Sequence, residues 1–295
     1  MNLSVVIACR DGGATLDACL RSVAASSPMP LDVIVADDGS ADDSAIIAER
    51  AGARVLRLPR RGRAAALNSG VAAATGDLIL FTDSDCVVPE GWAGQLAGLV
   101  KSGYDGVGGN LLPSAWNAVE TAKILRYIHE FERDAELTGD YTRWCLNGNN
   151  MAIRKSALQA VGGFDEGYLH GADADLTRRL LRAGFRLLRT RSVTTTHLKI
   201  DNLASFRRTF YMRGSAVRFA MTEKPLGLRA WASAAISPVR RALGDYARVT
   251  AMKRLFPQIA WTALLAAPLA HALADWSAAR GQRDFYRRFR AEAAR

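Results

Sequence analysis

The sequence has few cysteines, and they are not spaced as metal ligands or as a disulfide framework. The four lie far apart in a chain of 295 residues and form no CxxC pair: Cys9, Cys19, Cys86 and Cys145. Structural zinc sites and disulfide-rich secreted domains both need closely spaced cysteines. The sequence therefore favours free thiols in a reducing, cytoplasmic setting over either class.

Long hydrophobic runs are also missing. The opening MNLSVVIACR has no basic segment before its short apolar run, so we predict a first strand there and not a signal peptide. One later segment, residues 256–274, carries no formal charge when His271 is neutral, but it contains Gln258 and Pro268. A spanning helix needs about 20 predominantly apolar residues. We therefore expect an interfacial or packed helix here and not a full span.

Acidic residues are scarce in only one part of the chain. Residues 1–198 hold 21 Lys and Arg against 23 Asp and Glu, whereas residues 199–295 hold 18 against 6. The basic surplus therefore comes entirely from the last third. This asymmetry indicates a polyanionic partner, either an anionic membrane surface or nucleic acid. Because the sequence carries no recognisable nucleic-acid reader motif, we expect the membrane surface and no nucleic acid.

Short apolar runs alternate with helical patterns over the first 110 residues. LSVVIA is continuously apolar, as expected for a parallel strand that is buried on both faces. Further strands are predicted at DVIVAD, ARVLRLP and DLILFTD, with helices between them that end near Gly52 and Gly76. This order predicts an α/β fold with a doubly wound, mostly parallel sheet.

The pattern is less regular beyond residue 110. A long helix is predicted over residues 115–137, a strand in CLNGNNMAIR, a helix in DADLTRRLLRAG and strands in FRLLRTRSVTTTHL. From about residue 201 the chain is predicted to be helical and basic. We therefore predict a catalytic domain at 1–220 and a basic, partly apolar helical region at 221–295 that associates with a membrane.

Two acidic clusters follow predicted strands. Asp37 and Asp38 come directly after one strand, and Asp83 and Asp85 come after another. In an open parallel sheet, ligands bind at the carboxyl ends of the strands. Close carboxylates repel one another unless a cation or a donor-rich ligand compensates. Oxygen ligands at this spacing suit Mg²⁺ or Mn²⁺, whose other ligands often come from a bound diphosphate.

Several motifs, in order along the chain, resemble those of family 2 glycosyltransferases. They are VVIACRDGG, VIVADDGSADDS, RGRAAALNSGVAAATGDLILFTDSD, NGNNMAIRKSAL and GGFDEGYLHGADADLTRRLLRAGFRL, within roughly residues 2–220. The resemblance implies the GT-A fold, which is a Rossmann-like doubly wound sheet, here with a C-terminal basic helical extension. It also implies an inverting enzyme of the single-addition type, because the QxxRW motif of processive members is missing.

The resemblance implies roles for residues around the nucleotide of the donor. Ala8 and Arg10 would line the base, and Asp38 would accept a hydrogen bond from it. Arg63 and Asn68 lie in RGRAAALNSG, where Arg63 replaces the family's usual lysine. An arginine at this place would meet phosphate or base as a planar fork of donors.

The resemblance also implies roles near the diphosphate and the sugar. Asp83 would hold the ribose or share the metal, and Asp85 would coordinate the metal directly. His197 matches a histidine that some members use near the diphosphate or metal, and Asn150 matches a residue near the donor sugar. Tryptophans stack on sugars in many proteins, but Trp92 and Trp144 are more simply interpreted as packing residues.

Inverting transfer by single displacement needs one general base to deprotonate the acceptor hydroxyl. The candidates lie in HGADADLTRRL, residues 170–180. Asp173 matches the final acid of the family's Glu-Asp pair, so we predict it to be the base. Asp175 has Arg179 four residues on, the spacing of an ordinary surface ion pair on a helix. Ala172 stands where the family usually has an acid, which puts the positioning of the acceptor in doubt.

Together these features imply a metal-dependent transfer from a nucleotide-diphosphate sugar to a glycan or lipid-linked acceptor. The setting would be bacterial cell-surface polysaccharide synthesis at the inner face of the cell membrane, where Arg207, Arg208 and Arg213 would contact diphosphate or lipid headgroups. One alternative is a non-catalytic scaffold, which Ala172 favours. Another is a sugar-phosphate nucleotidylyltransferase, which needs a Gly-rich loop with Arg and Lys where this chain has CRDGGATLD.

Overall fold

The computed structural model of the protein divides into two compact units. It describes residues 1–126, 133–138, 145–168, 171–217, 243, 245–246 and 248–293. The first unit comprises Met1–Ser114 and His129–Lys199, and the second comprises Ala115–Ile128 and Ile200–Arg295. The sequence instead predicted a boundary after residue 220. The second unit also takes a helix from the middle of the chain, Ala118–Arg126, which packs on the long C-terminal helix at Trp261–Ala293.

The first half of the first unit alternates strands and helices, as predicted. The strands are β1 (Leu3–Cys9), β2 (Asp32–Asp37), β3 (Arg54–Arg57) and β4 (Leu78–Asp83), and the helices between them are α1 (Leu16–Ala24), α2 (Ser44–Arg50) and α3 (Arg63–Ala73). The four strands pair in parallel in the order β3-β2-β1-β4. The register places Ala8 beside both Ala36 and Asp83. The carboxyl ends of β1, β2 and β4 therefore lie side by side.

The second half of the sheet has strands of both directions. Its elements are β5 (Cys86–Val87), α4 (Trp92–Lys101), β6 (Gly106–Pro113), β7 (Ala135–Leu137), β8 (Asn150–Arg154), α6 (Lys155–Ala160), α7 (Ala172–Arg182) and β9 (Leu187–His197). The order continues β4-β8-β6-β9-β5, with β7 on β9. β8 is antiparallel to β4 and β6, whereas β6 and β9 are parallel. The α/β class is confirmed, and the parallel parts of the sheet are its first four strands and the pair of β6 with β9.

Two local predictions are wrong. The helix predicted over residues 115–137 does not reach its end, because Ala135–Leu137 forms β7 and pairs with β9. The prediction for residues 127–132 lies outside the described residues. Gly76 does not end α3, which stops at Ala73 and continues as extended chain. Its small size serves packing instead, because a Cβ there would lie 2.7 Å from the backbone nitrogen of Ser4.

The sheet is buried on both faces, which explains why its strands read as continuous apolar runs. Alternate residues of β4 point to opposite faces, with Leu80 in one cluster and Phe81 in the other. Fully burying a side chain of this size contributes about 1.5–3 kcal/mol. The four cysteines are free thiols, as predicted. Burial raises the pKa of the Cys9, Cys19 and Cys86 thiols, so they stay protonated at neutral pH.

Two glycines in helices test the contact between α3 and the sheet. A Cβ on Gly70 of α3 would overlap Cγ1 of Val6 in β1, whereas a Cβ on Gly98 of α4 would have nothing within 4 Å. We expect Gly70→Ala to lower the free energy of unfolding by about 1–3 kcal/mol, because the strand and helix must separate. Gly98→Ala should instead raise it by about 0.5–1 kcal/mol through its helix propensity. Urea unfolding measures both, and equal effects would contradict this packing.

The second unit is helical in its described residues. It contains α5 (Ala118–Arg126), α8 (Leu203–Val217) and α9 (Trp261–Ala293), and α9 packs on both α5 and α8. Lys123 joins α5 to the start of α8, since its Nζ lies 2.9 Å from Glu120 Oε1 and 2.5 Å from Asp201 Oδ2. Among the described residues, no helix combines the length and the apolarity that crossing a bilayer requires.

Candidate active site

Asp38 organises the turn that leads into α3. Its buried carboxylate accepts hydrogen bonds from the backbone N–H groups of Arg61, at 2.7 Å, and Gly62, at 2.9 Å. The half-exposed guanidinium of Arg10 reaches the other carboxylate oxygen at 3.5 Å. Ala8 lies on β1 between Ala36 and Asp83. The structure thus brings Ala8, Arg10 and Asp38 to one edge of the sheet, where the contact with a base remains a prediction.

Arg63, the first residue of α3, joins two strand ends. Its Nη2 donates to Asp83 Oδ1 at 2.5 Å and to the carbonyl oxygen of Gly148 at 3.1 Å. Burial lowers the pKa of the Arg63 guanidinium, but the carboxylates of Asp83 and Asp173 more than offset this, and the pKa is raised overall. Burial in turn raises the pKa of Asp83 despite the opposing charge of Arg63. Arg63 therefore remains a permanent cation at the centre of the site.

Asp85 and His197 meet because β5 pairs with the end of β9. Cys86 stands opposite His197 in the antiparallel register, and His197 Nε2 lies 3.3 Å from Asp85 Oδ2. Burial raises the pKa of Asp85, but the hydrogen bond and charge of His197 outweigh burial, so the pKa is lowered overall. Lys199 adds a smaller effect of the same sign. Asp85 is therefore an ionised carboxylate beside an imidazole at neutral pH.

Asp173 lies in the first turn of α7, which begins after Gly171 in the left-handed conformation that glycine favours. Its Oδ1 accepts the N–H of Ala174 at 2.9 Å, and its Oδ2 accepts the N–H of Gly148 at 3.4 Å. The carbonyl oxygen of Gly148 also accepts a hydrogen bond from Arg63, which pairs with Asp83. The backbone of Gly148 therefore connects Asp173 with this ion pair. The side chain is only partly buried, which leaves the carboxylate accessible to a ligand.

Asn68 is committed to the protein backbone. Its Oδ1 accepts the N–H of Phe164 at 2.8 Å, and its Nδ2 donates to the carbonyl of Phe164 at 2.8 Å and to Glu166 at 3.2 Å. A Cβ on Gly163 would lie 2.7 Å from Asn68 Oδ1, so glycine is needed there. Asn68 thus holds the loop that precedes α7, and its predicted contact with the nucleotide stays a prediction.

Asn150 is likewise used inside the fold. It is fully buried, its Oδ1 accepts from Trp92 Nε1 at 2.9 Å, and its Nδ2 donates to the carbonyls of Asn110 and Val193. These bonds use both N–H groups, so the expected contact with a donor sugar is not available. Trp92 is a core residue, as the sequence indicated, whereas Trp144 lies outside the described residues.

Asp175 forms an ion pair with Arg179, as its spacing indicated, but the pair is not on the surface. Only 6% of the Asp175 side chain is exposed, and it contacts Arg178 Nη2 at 2.5 Å and Arg179 Nε at 2.7 Å. Arg179 also donates to the carbonyl of Val161 at 2.6 Å. Ala172 is buried in an apolar cluster, so its methyl group fits where a carboxylate would lack solvent.

Sequence reasoning missed two contacts that tie the site together. Arg61 donates to Glu166 at 2.7 Å, which joins the turn held by Asp38 to the loop held by Asn68. Gly148 links Arg63 to Asp173 through its backbone, which side-chain motifs do not reveal. Arg207 is exposed and its Nε donates to Ser277 Oγ at 3.2 Å, and its predicted contact with diphosphate or lipid headgroups stays a prediction.

The donor set at this edge fits a divalent cation that is shared with a ligand. Asp85 and His197 offer an ionised oxygen and an imidazole nitrogen close together. Within the described residues, no group of three His, Cys, Asp or Glu side chains forms a complete metal cage. Mg²⁺ and Mn²⁺ commonly take one or two protein ligands and complete their shell with phosphate oxygens and water. Asp83 is the weakest of the three predicted ligands, because one of its oxygens already pairs with Arg63.

Comparisons with known proteins identify the family of the chain. The family profile described as Glycosyl transferase family 2 matches residues 4–162, which is more than half of the chain. The succinoglycan biosynthesis protein ExoA of Rhizobium meliloti (strain 1021) is 28% identical over 272 residues, covering 88% of this chain and 82% of that protein. The pre-mycofactocin glycosyltransferase of Mycobacterium tuberculosis (strain CDC 1551 / Oshkosh) is 32% identical over 233 residues, covering 75% of this chain but 48% of that protein.

A solved structure has a similar fold. The mannosyltransferase PcManGT from Pyrobaculum calidifontis, in complex with GDP-Man and Mn²⁺, matches with a TM-score of 0.57 and 18% sequence identity. The match covers 93% of this chain and 87% of that chain. At this identity the likeness concerns the fold alone.

Proposed function

The chain belongs to glycosyltransferase family 2, and from this premise we propose that it is a metal-dependent, inverting enzyme that uses a nucleotide-diphosphate sugar. Its fold is the expected GT-A fold. The observation that carries the proposal is one continuous set of contacts at the sheet edge. It runs from Asp38 through the turn at Arg61 to Arg63, and from Arg63 to Asp83 and to the partner shared with Asp173.

The donor nucleotide is proposed to lie over the ends of β1 and β2. Ala8 has a small side chain and would let a base approach the strand, while Arg10 and Asp38 supply a cation and a carboxylate at its edge. Asp83 retains a second carboxylate oxygen for ribose hydroxyls while Arg63 holds the first. Arg63 presents a planar fork that suits phosphate oxygens as well. The donor would thus be held by charges that the folded protein already positions.

A divalent metal, Mg²⁺ or Mn²⁺, is proposed to be held by Asp85 and His197, with Asp83 nearby. When bound, it would supply Lewis-acid stabilisation of the negative charge on the departing nucleoside diphosphate. The solved mannosyltransferase of similar fold from Pyrobaculum calidifontis is in complex with GDP-Man and Mn²⁺, which supports the proposal. Asp85 meets the requirement of a charged oxygen ligand, since its pKa lies below the ordinary value of an aspartate.

Asp173 is proposed to act as the general base. Its carboxylate would take the proton of an acceptor hydroxyl as that oxygen attacks the anomeric carbon and the bond from this carbon to the diphosphate oxygen breaks. The hydrogen bonds from Gly148 and Ala174 hold the carboxylate in place. Only one carboxylate is needed, unlike glycoside hydrolysis, which uses a pair.

We further propose a role in cell-surface polysaccharide synthesis, with a glycan or lipid-linked acceptor, at the inner face of the membrane. The relative named as a succinoglycan biosynthesis protein supports the first part. The basic excess of residues 199–295 supports the second, because each basic residue near an anionic membrane contributes about 1 kcal/mol to binding. Arg208 and Arg213 remain candidates for headgroup contacts, although the side chain of Arg213 lies outside the described residues.

Donor binding tests the proposal most directly. We expect one UDP- or GDP-sugar of a panel to raise the melting temperature when Mn²⁺ is present, since a ligand at about 100 times its Kd adds about 2.7 kcal/mol of stability. The donor that gives the shift should also be hydrolysed slowly, with release of its nucleoside diphosphate. Removal of the metal with EDTA should abolish both the shift and this release. ATP and nucleoside monophosphates serve as controls.

Two other results would change the conclusion. A metal-dependent thermal shift without any nucleotide release, even after acceptors are added, would favour the non-catalytic scaffold. Equal shifts with all nucleotides, or shifts that EDTA leaves intact, would contradict the proposed donor site. The nucleotidylyltransferase alternative predicts that the enzyme releases pyrophosphate from a nucleoside triphosphate and a sugar phosphate instead.

A further inference from the structure

Helix α9 carries its large apolar side chains on the outside and its small ones on the inside. Trp261, Leu265, Leu269 and Trp276 are 54%, 54%, 60% and 43% exposed. The buried face consists mainly of alanines, together with one leucine: Ala263, Leu264, Ala267, Ala270 and Ala274. A helix that only packed on its neighbours would have the opposite arrangement.

The four exposed side chains lie on one side of the helix and are called here the α9 strip, in which the smaller Ala272, between Leu269 and Trp276, is buried. At 3.6 residues per turn, Trp261, Leu265, Leu269 and Trp276 project within an arc of about 80° and extend over about 22 Å of the helix. Scattered exposed apolar residues need no explanation, but several large ones on one side of a single helix indicate an interaction surface.

Basic residues border the α9 strip. Lys253 Nζ lies 5.6 Å from the ring centroid of Trp261, and the exposed side chains of Arg254 and Arg280 lie before and after the strip. Between residues 261 and 280 the sequence contains a single acid, Asp275, and this residue is buried. The surrounding segment, residues 199–295, holds 18 basic residues against 6 acidic ones.

We propose that the α9 strip is the surface by which the protein docks on an anionic lipid bilayer, with its axis in the plane of the membrane. Tryptophan and leucine on one face with basic residues beside them are typical of interfacial helices. Tryptophan rings also favour the headgroup level of a bilayer. The reason for docking, a lipid-linked acceptor, rests on the proposed function. The exposed apolar and basic side chains that would make the contact all lie in the second unit.

Vesicle binding of the full chain tests the docking surface. The probes are vesicles of phosphatidylcholine alone and of phosphatidylcholine mixed with phosphatidylglycerol, with bound protein measured by sedimentation at low and high salt. We expect wild-type protein to bind the anionic vesicles more strongly and to lose part of this binding at high salt. The double variant Leu265→Glu with Leu269→Glu should bind at least about tenfold more weakly at both salt concentrations.

Leu31→Glu is the matched control, because Leu31 is 62% exposed but lies in the first unit. It should bind like wild type. We expect the double variant to fold, because both leucines are exposed, and thermal melting checks this. A second readout is quenching of tryptophan fluorescence by brominated lipid, most of which should disappear when Trp261 and Trp276 are both replaced by phenylalanine.

Two results would overturn the proposal. One is unchanged vesicle binding by the double variant. The other is a wild-type dimer that the double variant converts to a monomer, without vesicle binding by either, which would assign the α9 strip to a second copy of the chain. Release of nucleoside diphosphate from the donor sugar is measured without vesicles. This activity should be the same in all variants, so failure of the proposed function is seen separately from failure of the docking surface.

Discussion

Replacement of Asp85 by alanine is expected to lower both donor hydrolysis and glycosyl transfer by about a thousandfold, which equals about 4 kcal/mol of transition-state stabilisation. Asp85 is the ionised carboxylate beside His197, whereas Asp83, the other carboxylate proposed near the metal, already pairs with the permanent cation of Arg63. Steady-state rates at saturating Mn²⁺, with a donor identified by thermal shift, provide the measurement.

Asp17→Ala is the matched control for this change. Asp17 is exposed on α1 and pairs only with Arg21, so its loss should leave the rate unchanged and cost little stability. The Asp85 variant should still fold. The pKa of Asp85 is lower in the folded protein than in the unfolded chain, so its carboxylate stabilises the fold at pH values above the unfolded pKa. This contribution is lost as the pH falls through the folded pKa, and the alanine variant lacks it at every pH. An Asp85 variant with wild-type rates would contradict the metal role. So would a variant whose loss of rate is explained entirely by its smaller fraction of folded protein.

The fold was largely predictable because its first half obeys local rules. Buried parallel strands have continuous apolar sequences, and glycine at Gly52 ends a helix in the left-handed conformation. The second half mixes strand directions, and short segments such as Ala135–Leu137 become strands only because β9 offers an unpaired edge. Such pairing depends on residues at least fifty positions away and leaves no local signal.

The site was predictable where a charge requires a counter-charge, and not where a polar side chain has several equivalent uses. Two neighbouring carboxylates after a buried strand need compensation, and the structure supplies it through Arg63 and His197. An asparagine amide can form its hydrogen bonds with the protein backbone as readily as with a ligand. Asn68 and Asn150 accordingly hold Phe164 and Trp92, although their sequence context gave no sign of this.

Arg63 also explains why the site holds together without a ligand. Asp83 and Asp173 would repel each other across the edge of the sheet, and the guanidinium between them removes this cost. A donor diphosphate would compete with these carboxylates for the same cation. Binding of the donor and exposure of the two carboxylates are therefore expected to be coupled through a single side chain.

The last prediction compares two carboxylates that lie two residues apart on α7. Asp173→Asn should reduce transfer to the acceptor by about 10²–10⁴-fold, because the amide cannot take the proton of the attacking hydroxyl. Donor affinity and the free energy of unfolding should remain near those of wild type, since Asp173 is partly exposed and only weakly bonded to Gly148.

Asp175→Asn should do the reverse. Removing this buried charge leaves Arg178 and Arg179 without their partner, which is expected to cost about 3–5 kcal/mol of unfolding free energy. The folded fraction should keep its kcat, because Asp175 faces the arginines and not the edge that carries Arg63. Urea unfolding and kcat with a fixed acceptor separate the two effects. Loss of kcat in the folded Asp175 variant, with the Asp173 variant still active, would contradict this assignment. It would make Asp175 the general base and leave Asp173 without a catalytic role.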